Sequence, residues 1–238
     1  MRKALKGKRI LVTAGPTWVA IDRVRVISNI SSGLTGITIA QCAAKMGANV
    51  TLLLGPVSTT CGSRLAVPTL KVKRFKYFDE LKKLITIELA HKKYDILIHA
   101  AAVSDYRPVK TDSKKIKSEK KKLVIELKPT VKIIDQIRRQ AKAVFLVMFK
   151  LEAGEPRNKL IEVAYKRMRR AKADIVVANN INEISGERHK AYIIDGEEKV
   201  TVVKTKDELA KKLLCHCERA IASEAIPKEI ASALRVSQ

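Results

Sequence analysis

Thr13-Ala-Gly-Pro-Thr-Trp-Val-Ala-Ile-Asp-Arg-Val-Arg-Val-Ile-Ser-Asn-Ile-Ser-Ser-Gly-Leu-Thr-Gly36 stands between a short apolar run, Arg9-Ile-Leu-Val-Thr13, and an apolar-periodic segment that predicts a helix over 34–47. It reads as the loop between a first strand and a first helix, the place where α/β folds bind phosphate groups. A helix N-terminus carries free backbone N–H groups and the positive end of the helix dipole. Ser31, Ser32, Gly33 and Gly36 let an anion come close to that backbone, and Gly15 opens the same loop. The loop exceeds the about two to six residues usual for such a connection, and long loops in compact domains are often functional.

Outward from this stretch, strand and helix patterns alternate. Strands are expected at 9–13, 49–54, 70–75, 95–99, 122–127, 144–148, 174–178, 189–195 and 199–204, and helices at 34–47, 77–92, 131–141, 156–172 and 205–222. This βαβ rhythm predicts an α/β, Rossmann-like fold: a mainly parallel sheet with helices on both faces, in a single domain over 1–238. The last two strands, joined around Asp195-Gly196, read as an antiparallel hairpin added to the sheet. Thr205-Lys-Asp-Glu208 has the form of a capping box, Pro156 suits a first helical position, Gly47 ends the first helix, and Gly55-Pro56 ends the second strand. Residues 109–122, Val-Lys-Thr-Asp-Ser-Lys-Lys-Ile-Lys-Ser-Glu-Lys-Lys-Lys, are too polar to bury and are expected to form a mobile flap. A short helix or a frayed tail is expected over 224–238.

With 46% hydrophobic residues the chain can bury a full core. It has no apolar run of about 18 residues and no apolar stretch behind Met1-Arg-Lys-Ala-Leu-Lys, so a cytoplasmic protein without a membrane span is expected. Cys42, Cys61, Cys215 and Cys217 form no disulfide framework, and Cys215-His-Cys217 lacks the second pair a zinc site needs, so no metal site is expected. The formal charge of +24 suits either nucleic acid or a substrate carrying several phosphates. Basic residues spread along the chain and an aromatic content of only 4% leave few platforms for stacking bases, which weighs against nucleic acid.

A second loop complements the first. Tyr94-Asp-Ile-Leu-Ile-His-Ala-Ala-Ala-Val-Ser-Asp-Tyr-Arg-Pro108 is a buried strand running into small residues and an acid. Ligands of open α/β sheets lie beyond the carboxyl ends of the strands, so Ala100, Ala101 and Ala102 would let a base or sugar lie against the backbone. Asp105 would accept hydrogen bonds from ribose hydroxyls or hold a metal ion.

Together these segments resemble the phosphopantothenate-cysteine ligase family. The resemblance is carried by Thr13-Ala-Gly-Pro-Thr17, Ile21-Asp22 with Val24-Arg25, Ile27-Ser-Asn29, Ser31-Ser-Gly33 and Gly36, then Gly47-Ala48, Val50-Thr51, Gly55-Pro56, Ala100-Ala-Ala-Val-Ser-Asp105, Lys115-Ile-Lys117, Phe149-Lys-Leu-Glu152 and Asp174-Ile-Val-Val-Ala-Asn179. It runs in order over roughly residues 8–205. It implies the step of coenzyme A synthesis that joins cysteine to 4′-phosphopantothenate through an acyl-nucleotide, with release of pyrophosphate. It implies that Ser31 to Gly36 hold the triphosphate, that Asn29, with Arg25, serves the phosphopantothenoyl group and the acyl-phosphate, that Lys115 closes over the site with Lys117 beside it, that Asp105 holds the ribose, that Phe149 and the Ala101-Ala102 backbone belong to the nucleotide site, and that Mg²⁺ bridges the phosphates. Family members are homodimers. Many are fused behind a flavin-dependent decarboxylase domain, for which the sequence before the ligase motif has no room, so the ligase alone is expected.

Departures bear on the nucleotide. Bacterial members commonly have Glu-Pro at Val19-Ala20, Pro at Arg23 and Asp at Lys132, while Phe149-Lys-Leu-Glu152 is similar to eukaryotic members. Bacterial members use CTP and eukaryotic ones ATP, so both are open, with CTP slightly favoured.

Rival readings fit less well. An NAD(P) oxidoreductase wants a compact glycine fingerprint and an acid ending the second strand, where this chain has Leu54-Gly55-Pro56. Its Tyr106 and Lys110 dyad is broken by Pro108, which forbids the helix that would align them. A basic nucleic-acid-binding protein predicts affinity that falls steeply with salt.

Overall fold

The computed structural model describes residues 4–57, 67–119, 121–185 and 188–236, with side chains described as far as residue 222. Cys61 lies outside the described residues. The chain runs through β1 (Arg9–Ala14), β2 (Trp18–Ala20), β3 (Val26–Ser28), α1 (Leu34–Lys45), β4 (Asn49–Leu54), β5 (Leu70–Arg74), α2 (Phe78–His91), β6 (Ile96–His99), β7 (Tyr106–Pro108), β8 (Leu127–Pro129), α3 (Ile133–Gln140), β9 (Phe145–Glu152), α4 (Arg157–Ala171), β10 (Ile175–Asn180), β11 (Ile184–Ser185), β12 (Arg188–Asp195), β13 (Val200–Thr205) and α5 (Lys206–Val236).

The main sheet has the order β11-β12-β10-β9-β6-β1-β4-β5, with β13 paired to β12. From β5 to β10 every pairing is parallel, and β12 and β13 add the expected antiparallel hairpin at one side. Period-two alternation splits the strand side chains between the faces. Ile10, Val12, Leu52 and Ile98 join Ile37, Ala40, Leu209 and Leu213 of α1 and α5 in one core. Leu11, Leu53 and Leu97 join Phe78, Leu81, Ile137 and Leu160 of α2, α3 and α4 in the other. Each fully buried Leu or Ile of this kind contributes about 1.5–3 kcal/mol, which is why a chain this charged still closes two cores. The fold is therefore the α/β, Rossmann-like sheet covered on both faces. Among the described residues no helix is long and apolar enough to cross a membrane.

Local chemistry sets several boundaries. Thr205 Oγ1 accepts from the Glu208 N–H at 3.1 Å and Glu208 accepts from the Lys204 N–H at 2.8 Å, so the capping exchange reaches one residue further back than the pattern implies. Pro156 is the N-cap of α4 rather than its first helical residue. The last helix continues to Val236 as one element, through the residues expected as a separate tail. Cys217 is buried in the core and Cys215 is exposed, so the two thiols face apart.

The first loop holds more structure than its sequence shows, and one expected strand is absent. The loop between β1 and α1 contains a hairpin, β2 paired antiparallel with β3. Its turn is closed by Asp22, whose Oδ1 accepts from the N–H groups of Val24 and Arg25 at 2.8 Å each, so the extra length of the loop is folded structure. The strand expected at 122–127 is absent; only Leu127–Pro129 is extended, and it pairs with β7 in a separate ribbon. Strand β6, which lies before this segment, already has β1 and β9 on its two sides, so the sheet offers no place between them.

Gly36 sits in the first turn of α1, where a Cβ would lie 2.5 Å from Ala14 Cβ of β1. We expect Gly36→Val to push α1 off the sheet and lower unfolding stability by about 1–3 kcal/mol, read as a lower urea midpoint with an unchanged m-value; an unaltered midpoint would refute this packing.

Candidate functional site

Strands β1 and β6 lie side by side, and their connections leave in opposite directions along the sheet, β1 toward β4 and β6 toward β9. This is a topological switch point, where the loops beyond the strands part and leave a crevice. The two loops are nevertheless tied to each other beyond the strands. The Ala100 N–H donates to Thr13 O at 3.1 Å, the Ala102 N–H to Gly15 O at 2.9 Å and the Thr17 N–H to Ala102 O at 3.3 Å. Thr17 and Ser104, both buried, complete the tie: the Ser104 N–H donates to Thr17 Oγ1 at 3.0 Å and Thr17 Oγ1 donates to Ser104 Oγ at 3.1 Å.

Beneath them, buried Thr13 accepts at Oγ1 from the Ala101 N–H at 3.2 Å and meets His99 Nδ1 at 2.9 Å. Burial pushes His99 down to about 4, so at neutral pH the ring is an uncharged hydrogen-bonding group and adds nothing to the cationic field.

The loop expected as a phosphate cradle leads into the helix through a glycine-serine turn. Gly33 is the N-cap of α1 with φ 71°, and Gly15 has φ 82°, conformations that cost glycine nothing and other residues considerably more. The two glycines pack together, since a Cβ on Gly33 would lie 3.2 Å from Gly15 Cα. Ser31 Oγ accepts from the Gly33 N–H at 3.3 Å and Ser32 Oγ from the Leu34 N–H at 3.4 Å. These bonds are at the long end of the range, so a charged phosphate oxygen would replace them with gain.

Asn29 leaves the hairpin toward the other loop, where its Nδ2 donates to Val103 O at 3.0 Å. One Nδ2 hydrogen is used there, which leaves the second hydrogen and Oδ1. The structure thus gathers Gly15, Asn29, Ser31, Ser32, Gly33, Gly36, Ala101 and Ala102 around the switch point. Phe149 is half-buried on β9, one residue beyond Met148, the register partner of His99. Asp105 is exposed at the rim, with Oδ1 at 2.5 Å from Lys132 Nζ.

Arg25 has a structural task. Its guanidinium pairs with Asp22 and donates to Ile116 O at 3.1 Å. Asp22 is only 3% exposed and also accepts from the Ile116 N–H at 3.0 Å. Burial opposes its charge, yet the N–H groups of Val24, Ile116 and Arg25 and the guanidinium outweigh it and hold the carboxyl down at about 2. The flap is therefore tied to the hairpin: the Asp112 N–H donates to Ile21 O at 3.0 Å and Thr111 Oγ1 to Ala20 O at 3.2 Å. Lys115 and Lys117, both exposed, flank the pinned Ile116.

Sequence reasoning passed over Thr13, Thr17, His99 and Ser104 as site residues. The one signal available was polar side chains at the ends of strands that are otherwise apolar. A cavity of 370 Å³ between β13 and α5, lined by Lys199, Thr201, Lys211, His216 and others, shares no residue with this site. Among the described residues no group of His, Cys, Asp and Glu is arranged to hold a metal ion.

Comparison with known proteins places the chain among relatives. Residues 5–220 match the family described as DNA/pantothenate metabolism flavoprotein C-terminal domain. The chain is 40% identical over 223 residues to the coenzyme A biosynthesis bifunctional protein CoaBC of Thermococcus kodakarensis, covering 92% of this chain and 53% of that one. It spans about half the length of the curated relatives it matches. Among solved structures it is similar to the DNA/pantothenate metabolism flavoprotein from Streptococcus pneumoniae, with TM-score 0.80, 28% identity and coverage of 90% of this chain and 100% of that one. It is also similar to the C-terminal domain of a coenzyme A biosynthesis bifunctional protein CoaBC, with TM-score 0.75, 29% identity and coverage of 93% and 99%.

Asp22 has a folded-state pKa below its unfolded value, so its contribution is complete above about pH 4 and is lost as pH falls through about 2. We expect Asp22→Asn to remove the charge that holds Arg25 and to speed hydrogen exchange at the Ile116 amide, and acid to do the same to the wild type between about pH 4 and 2. Unchanged exchange at Ile116 in the variant would show that the flap is held some other way.

Proposed function

The chain belongs to the DNA/pantothenate metabolism flavoprotein C-terminal domain family, and from that membership we propose that it joins 4′-phosphopantothenate to L-cysteine in coenzyme A biosynthesis. The observation that carries this reading is the meeting at one switch point of a glycine-serine helix N-terminus, Asn29 and the Ala100–Asp105 loop. One part suits a triphosphate, one an acyl group and one a nucleoside, which is the substrate set of carboxylate activation by a nucleotide.

In this reading the phosphopantothenate carboxylate attacks the α-phosphorus of CTP or ATP. Pyrophosphate leaves and an acyl-nucleotide forms; the cysteine amine then attacks the acyl carbon and expels the nucleoside monophosphate. Both steps move negative charge onto oxygens, so the residues act by positioning and by preorganised donors. The N–H groups of Gly33 and Leu34 bind phosphate oxygens in place of Ser31 and Ser32, with Gly15 and Gly36 keeping the backbone accessible. Asn29, steadied on Val103, donates its second Nδ2 hydrogen to the activated acyl group. Asp105 accepts from the ribose, and Phe149 with the Ala101-Ala102 backbone borders the base. Lys115 and Lys117 bring positive charge from a flap whose position the Asp22–Arg25–Ile116 contacts set.

Mg²⁺ completes the proposed set. Among the described residues no three His, Cys, Asp or Glu side chains are gathered to hold an ion, which fits one carried in by the substrate phosphates. There it would neutralise charge on the phosphates. A homodimer is proposed as well, since the exposed apolar side chains of Val24, Ile30 and Val124 on the hairpin and after the flap invite cover. CTP is slightly favoured over ATP.

Two measurements test the reaction. Purified protein with Mg²⁺, cysteine and either nucleotide is expected to release pyrophosphate only when 4′-phosphopantothenate is present; no release with either nucleotide would overturn the assignment. Asn29→Asp, which sets a like charge beside the acyl-phosphate, and Lys115→Gln are each expected to lower kcat about 10²-fold with the fold intact by circular dichroism, and full activity in both would remove these roles.

A further inference from the structure

Lys132 is an unusual N-cap. The position favours Ser, Thr, Asp or Asn, whose oxygens accept from the helix N–H groups, and a cation there opposes the helix dipole. In α3 the N-cap is Lys132 and no side-chain cap bond forms. Its ammonium turns instead to the neighbouring loop, with Nζ 2.5 Å from Asp105 Oδ1. Asp135, the acid in the first turn of α3, is taken by Arg167 at 3.3 Å.

Both ends of this ion pair are mounted on fixed backbone. The Thr130 N–H donates to Asp105 O at 2.9 Å and Thr130 Oγ1 donates to Ser104 O at 2.7 Å, so the entry to α3 is fastened to the loop that Thr17 holds at Ser104. The side chains of Lys132 and Asp105 are 49% and 65% exposed, and so exposed a pair contributes little to folding. What it fixes is the direction of the Asp105 carboxylate at the rim of the crevice: Oδ1 is engaged and Oδ2 keeps its lone pairs.

We propose that Lys132 is a positioning residue that holds Asp105 ready to accept hydrogen bonds from the sugar hydroxyls of the nucleotide, and so makes the site discriminate ribose from deoxyribose. A carboxylate held in one direction meets a hydroxyl at Oδ2 without first losing rotamer freedom, and a sugar lacking that hydroxyl forgoes this preorganised bond. The inference rests on the nucleotide-dependent reading above and makes Lys132 a determinant of the sugar rather than of the base.

The test uses the full chain and does not require turnover. Titration calorimetry with Mg²⁺ compares CTP and ATP with their 2′-deoxy and 3′-deoxy forms. Wild type is expected to bind at least one deoxy form more weakly, by roughly tenfold, about 1.4 kcal/mol. Lys132→Met is expected to weaken the ribonucleotide toward the deoxy form and erase that ratio, while Lys132→Arg keeps it. In an Asp105→Asn background Lys132→Met is expected to change nothing further, as for two residues acting through one contact. In an active preparation the same loss appears in KM for the nucleotide, with kcat within about twofold. Equal binding of ribo and deoxy forms by the wild type, an unchanged ratio in Lys132→Met, or additive losses in the double variant would each overturn the proposal. The ligase assignment fails by a different result, the absence of phosphopantothenate-dependent pyrophosphate release.

Discussion

The tie between Thr17 and Ser104 is the contact on which the rest of the site depends. Parallel strands β1 and β6 stop at Ala14 and His99, and at a switch point their loops are free to part. Here backbone hydrogen bonds from Thr13 to Ala102, capped by a pair of buried hydroxyls, hold the loops together for several residues past the sheet. An unpartnered buried hydroxyl costs about 1–3 kcal/mol, so the two side chains keep each other in place. From this seam the hairpin leaves on one side and the Asp105–Lys132 rim on the other. Asn29 reaches Val103 across it at 3.0 Å.

A second buried polar group extends this order to the flap. The Asp22 carboxylate is removed from water, which would be costly for an isolated charge. Its oxygens instead receive the N–H groups of Val24, Arg25 and Ile116 and the Arg25 guanidinium. The hairpin turn and the middle of the flap thus share one acceptor. The lysines on either side of Ile116 start from an anchored backbone, so less chain entropy remains to be lost in ordering them. The surplus of positive charge is locally ordered here, while much of the rest lies on helix and loop surfaces.

Much of the fold was legible in the residues. The alternation at Ile10-Leu-Val12 and at Ile96-Leu-Ile98, and the helical spacing of Leu160, Ala164 and Met168, point each side chain to one of the two cores that form. Pro108 ruled out a helix after Tyr106, and a short strand stands there. The hairpin inside the first loop was less legible, because strands as short as Trp18–Ala20 and Val26–Ser28 carry too few residues for a period to show. The segment 122–127 misled for the opposite reason: it has strand-like composition, but whether a strand forms depends on a free partner.

The sequence by itself determined the mainly parallel α/β sheet, the glycine-serine turn ahead of the first helix and the small-residue loop after His99, because apolar periodicity and glycine placement are local properties of the chain. Only the tertiary structure decided that Arg25 anchors the flap through Asp22, that Thr17 and Ser104 close the seam, and that Lys132 holds Asp105. Those partners lie far apart along the chain or across a turn, and a charged or hydroxyl side chain takes its role from the group it meets. That meeting is settled by how the strands are ordered in the sheet.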